Sequence, residues 1–130
     1  MLKGSPLLNE RLVAELTAAG HGDLIVVADA GLPIPVGTPI IDLALVPGQV
    51  PFDLTLRTVL AAVHVESVVV AEESDNGGIG ATIREITAGL ARRTVTHTEL
   101  KDLLPTARVV VRTGECTPFA NVVLVAGTSF

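Results

Sequence analysis

Gly20-His21-Gly22-Asp23-Leu24-Ile25-Val26-Val27-Ala28-Asp29-Ala30-Gly31-Leu32-Pro33-Ile34-Pro35 is the stretch that settles the fold class. Its apolar run, Leu24 to Ala28, has a Gly-His-Gly-Asp turn before it and Asp29 with a glycine/proline loop after it. A short apolar run bounded by turn residues reads as a strand buried on both faces. Asp29 is then a carboxylate carried by a rigid strand to the rim of a sheet. In open α/β sheets, ligands bind beyond the carboxyl ends of the strands. Pro33 and Pro35 stiffen the following loop by fixing their own φ and biasing Leu32 and Ile34 toward extended geometry. A binding carboxylate and a loop-capping aspartate both fit these residues.

Outward from this strand, the chain alternates. Asn9 is an N-cap for a helix to about Ala19, with Leu12, Val13, Leu16 and Ala19 on one face and Gly20 as its stop. Residues 39–46 read as a second strand, and Pro51 opens a helix to about Val63. Val65–Ala71 is a third strand, ending in Glu72 and Glu73. A helix is expected from about Ile79 to Ala91, a short strand over Thr94–Thr96, and a brief helix capped by Thr98 and stopped at Pro105. Ala107–Arg112 and Ala120–Ala126 complete the strands. The pattern predicts one domain over residues 1–130: a three-layer α/β/α sandwich around a mostly parallel, mixed sheet of about six strands.

Composition narrows the function. Nine basic against fourteen acidic residues give a net charge of −5, which disfavours a nucleic-acid partner. There is no Trp or Tyr to stack on single-stranded bases. A single cysteine excludes an internal disulfide and fits a reducing cytoplasm. Three scattered histidines and that cysteine give no zinc-ligand spacing, so no metal is expected. Hydrophobic residues make up 48% and mean hydropathy is +0.57. No apolar run reaches the ~18 residues of a membrane span, so the excess apolar surface predicts a homo-oligomer.

Three groups have the chemistry for a site. His97 falls between a strand and a helix, on the same rim as Asp29, and Lys101 is one helical turn further on; a surface or capping histidine is the plainer alternative. His21 lies on the other side of the Leu24–Ala28 strand, up to roughly 26 Å from Asp29 at ~3.3 Å per residue. If both act together, His21 of one subunit must face the rim of its neighbour; otherwise it is an exposed residue after a helix stop. Arg112–Asn121 is a dense polar loop, in which Asn121 offers a donor and acceptors suited to sugar hydroxyls. His64, and the carboxylates of Glu72 and Glu73, read as structural or solvated groups. Cys116 has no neighbouring cation in sequence to make a thiolate. Gly77-Gly78-x-Gly80 is too weak a pattern for a dinucleotide site.

Together these residues resemble the D-ribose pyranase family and its relative, the L-fucose mutarotases. The matching segments are Lys3-Gly4, Leu8-Asn9, Gly20-His21-x-Asp23 and Asp29-Ala30-Gly31-Leu32-Pro33-Ile34-Pro35. Ile41-Asp42-x-Ala44-Leu45, Ala71-Glu72-Glu73, Thr96-His97-x-Glu99-x-Lys101 and Gly114–Asn121 continue the match, which is weakest from Ser74 to Arg93. The resemblance implies a cofactor-independent isomerase of D-ribose ring forms, with fucose mutarotation or sugar binding without catalysis as alternatives. It implies His21 as proton donor, and Asp29, His97, Phe119, Ala120 and Asn121 as sugar-binding groups with Lys101 nearby. It also implies ring-shaped homodecamers with sites between subunits. One departure stands out: the family usually carries tyrosine where this chain has Phe119.

Overall fold

The computed structural model describes residues 1–130. Helix α1 (Glu10–Ala18) begins at Asn9, whose side chain accepts the Leu12 N–H. Strand β1 (Leu24–Ala28) is followed by β2 (Ile40–Asp42), α2 (Phe52–Ala62) and β3 (Val65–Ala71). A 3-10 turn over Glu72–Asn76 leads into α3 (Gly78–Ile86), then β4 (Ala91–Val95), α4 (His97–Leu103), β5 (Val109–Arg112) and β6 (Val122–Ala126). No helix is long and apolar enough to cross a membrane.

The six strands form one mixed sheet in the order β2-β5-β1-β6-β3-β4. Strand β1 is parallel to β5, β5 to β2, and β3 to β4, while β6 runs antiparallel between β1 and β3. Side chains alternate across a strand, and β1 divides accordingly. Ile25 and Val27 join Leu12, Leu16, Phe52, Leu56, Val59, Ile79 and Ile83 under α1, α2 and α3. Val26 and Ala28 face the opposite layer, with Leu32, Leu100, Leu104 and Ala107 around α4. Each valine, leucine, isoleucine or phenylalanine among them, fully buried, contributes roughly 1.5–3 kcal/mol of hydrophobic stabilisation. The three-layer arrangement expected from the alternating pattern is therefore present.

Several boundaries differ, each for a local reason. β2 stops at Asp42 rather than Val46, because the Asp42 carboxylate accepts the Ala44 N–H and turns the chain. α3 ends at Ile86 rather than Ala91, since Gly89 sits at φ +86 and breaks the helix, and β4 consequently starts at Ala91. α4 is capped by Thr96, not Thr98: Thr96 Oγ1 accepts the Glu99 N–H while Glu99 accepts the Thr96 N–H, a reciprocal capping box. His97 is thereby the first helical residue.

The candidate sugar site at the strand ends

The mixed sheet brings distant segments to one rim. The carboxyl ends of β1, β5, β3 and β4 lie there, together with the amino end of the antiparallel β6. Asp29 follows β1, the Thr113–Asn121 loop joins β5 to β6, Glu72 and Glu73 follow β3, and His97 follows β4. Between them is a cleft of about 510 Å³, lined by Asp29–Pro33, His97 and Glu115–Phe119.

Asp29 is fixed on every side. Its Oδ2 accepts from Asn121 Nδ2 at 2.9 Å, its backbone N–H donates to Asn121 Oδ1 at 3.0 Å, and its Oδ1 accepts the Gly31 N–H at 3.0 Å. Asn121 is fully buried and Asp29 nearly so. A carboxylate with this many fixed donors has one orientation toward the cleft, which is the preorganisation that ligand recognition needs. The two loops are tied together as well. Thr113 donates both its N–H and its hydroxyl to the Ala28 carbonyl, and Ala30 N–H donates to the Glu115 carbonyl. Gly114 lies so close to Gln49 that any Cβ would collide with that residue's backbone.

His97 enters from the opposite wall. Its backbone N–H donates to Glu73 at 2.7 Å, and its ring meets the Phe119 ring edge-on, with centroids 5.0 Å apart at 81°. Aromatic pairs favour this geometry. The His97 Nδ1 is buried and has no protein partner. Phe119 adopts φ +65, a left-handed conformation that bulky side chains rarely take and that costs roughly 1–3 kcal/mol. Asn121 N–H donates to the Phe119 carbonyl and holds the turn.

Of the residues singled out in the sequence, Asp29, His97 and Phe119 line the cleft. Ala120 and Asn121 lie buried behind it, Asn121 acting through Asp29. Lys101 is half-buried and outside the lining residues. His21 lies at the other end of β1, exposed, with its Nε2 2.9 Å from Glu66 Oε2. Glu73 is not the solvated carboxylate its position suggested, since it anchors the His97 backbone. Glu115, Cys116 and Thr117 also line the cleft; their signals were their place in the polar loop and in the Gly114–Asn121 segment. No group of three or more His, Cys, Asp or Glu converges as a metal-binding set.

The rim cleft on a mixed α/β sheet, two carboxylates and a histidine facing it, defines a binder of a small polar molecule. The chain belongs to the RbsD / FucU transport protein family, whose model matches residues 2–129. It is 44% identical to the D-ribose pyranase of Symbiobacterium thermophilum and 43% identical to that of Pseudomonas putida, over 99% of this chain and all of each relative. Its fold superposes on Bacillus subtilis RbsD complexed with D-ribose with a TM-score of 0.95, at 38% identity and full coverage of both chains.

Proposed function

We propose that this protein is a D-ribose pyranase, a cofactor-independent isomerase that interconverts the pyranose and furanose forms of D-ribose. The observation that carries this reading is the likeness to the ribose-complexed RbsD along the whole chain, with Asp29 and His97 facing a cleft of monosaccharide size. Asp29 and Glu115 offer carboxylates to sugar hydroxyls and would repel a phosphorylated sugar. Phe119 supplies an apolar face, which leaves the polar contacts to Asp29, His97 and the loop.

Ring opening requires one proton in and one out. An acid protonates the ring oxygen as a base takes the anomeric hydroxyl proton; the C1–O5 bond breaks and C1 becomes an aldehyde. After rotation the C4 hydroxyl adds to C1, losing its proton as the carbonyl oxygen gains one, and the furanose results. Positioned acid or base groups are worth about 10²–10⁴-fold in such steps, and histidine suits a task near neutral pH. His21 serves as the acid, and Asp29 and His97 hold and polarise the sugar, with Lys101, Ala120 and Asn121 completing the binding segment.

His21 and Asp29 sit at opposite ends of β1, so the working site takes His21 from a neighbouring subunit. Leu8, Val36 and Leu45 are largely exposed in the single chain and give an assembly apolar surface to bury. A decamer of two stacked pentamers, in the cytoplasm, is the assembly this reading assigns.

Exchange NMR on D-ribose tests it: added protein should accelerate pyranose–furanose exchange, and His21→Ala should abolish the acceleration with the assembly intact. Anomer exchange alone would make the protein a mutarotase, and ligand broadening without faster exchange a binding module. Either result would overturn the pyranase reading.

A further inference from the structure

The Gly77-Gly78-x-Gly80 segment, which the sugar cleft does not use, backs the 3-10 turn over Glu72–Asn76. Gly80 presses so closely on the Ser74 and Asp75 backbone that a Cβ there would collide with it. Ser74 is buried and donates its hydroxyl to the Ala71 carbonyl at 2.7 Å. Asp75 pairs with Arg84 of α3 at 2.9 Å and with Arg92 of β4 at 3.2 Å. The turn is thus held from α3, β3 and β4 at once. Of the two glutamates it carries, Glu72 is exposed and Glu73 is half-buried. Glu73 reaches across to α4 and accepts the His97 N–H at 2.7 Å, a charge-assisted bond.

That bond is surplus to starting the helix, where Thr96 and Glu99 already close a capping box. It is also surplus to joining the elements, since β3 and β4 are paired as far as Ala71 and Val95. What it settles is where the His97 backbone sits, and the ring with it. The Nδ1 of that ring has no protein partner, and Phe119 meets the ring edge-on without a hydrogen bond. We propose that Glu73 is a positioning residue for ribose binding: its carboxylate pins the His97 backbone, so that the imidazole is in place in the cleft wall before the sugar arrives. This inference rests on His97 holding the sugar, as the proposed function has it. Glu73 itself is outside the lining of the cleft and acts through His97. A binding group fixed in advance removes an ordering cost from association.

The test uses the assembled protein with D-ribose as the probe: NMR titration gives the affinity, and exchange spectra give the rate at saturating sugar. It compares Glu73→Ala, Glu73→Gln, His97→Ala and the double variant Glu73→Ala with His97→Ala. Glu73→Ala should weaken ribose binding by about 10-fold, within the ~10²-fold that a misplacement of about 1 Å can cost, and should change the saturated rate far less. Glu73→Gln keeps an acceptor for the His97 N–H and should recover most of the affinity lost in Glu73→Ala. In the His97→Ala background, removing Glu73 should weaken binding no further, because the ring through which it acts is gone. A general loosening of the fold would instead weaken binding in both backgrounds. Wild-type affinity in Glu73→Ala, a Glu73→Gln protein as weak as Glu73→Ala, or a full further loss in the double variant would each overturn the positioning role alone. Absence of ribose binding by the wild-type protein would instead overturn the proposed function, and the role of Glu73 with it.

Discussion

Asn121 and Asp29 form a closed ring of two hydrogen bonds, one between side chains and one to the Asp29 backbone. Asn121→Ala would leave a nearly buried carboxylate oxygen and a buried N–H without partners. Unsatisfied buried groups cost about 1–3 kcal/mol each, so urea unfolding at fixed protein concentration should show destabilisation of that order. Ribose affinity should fall in parallel, because Asp29 loses its fixed orientation. Asp29 and His97 were legible in the sequence because each falls just beyond the end of a strand, Asp29 at a loop and His97 at a helix start. The contacts of Glu73 and Glu66 were not. Their partners lie 24 and 45 residues away, which only the pairing of strands brings within reach.

Among the elements, the turn Gly20–Asp23 shows how the loop carrying the proposed acid, His21, is stiffened. Asp23 Oδ2 accepts the Gly20 N–H at 2.9 Å and Arg108 Nε–H at 2.7 Å, and Glu15 reaches the same guanidinium. The Gly20 N–H, and then Arg108, hold the Asp23 carboxyl below the usual carboxylate range. A depressed folded-state pKa stabilises the fold above the unfolded value, ~3.9 for aspartate, and that stabilisation is lost as pH falls through the folded value. The melting-temperature gap between wild type and Asp23→Asn should therefore be widest above about pH 4 and close on acidification below it. The side chain is 37% exposed, so solvent screening keeps the effect modest. Element existence was legible from apolar runs and from the Asn9 and Pro51 signals, whereas Gly20 is not the left-handed stop it suggested: α1 ends at Ala18, and the left-handed glycine of the turn is Gly22. Boundaries set by one side chain, such as the Asp42 turn or the Thr96 cap, were not, because neighbouring residues offer the same chemistry.

For the whole molecule, the separation of His21 from Asp29 on one strand makes activity, on the proposed function, a property of neighbours. Separately inactive His21→Ala and Asp29→Asn proteins, dissociated together and reassembled at equal amounts, should recover about a quarter of wild-type exchange, the random-mixing share of sites with both groups intact. No recovery in verified mixed assemblies would place both groups in one subunit's site. The layered architecture could be read from the sequence, but the direction of β6 could not, since a run buried on both faces looks the same either way up.

That direction governs how the molecule is made. β6 is the only strand joining the β2-β5-β1 half of the sheet to the β3-β4 half, and it is the final strand to be synthesised. Without β6 the two parallel half-sheets have bare inner edges, and unpaired edges invite aggregation. Closure of the sheet and arrival of Asn121 behind Asp29 are therefore one event, since Asn121 immediately precedes β6.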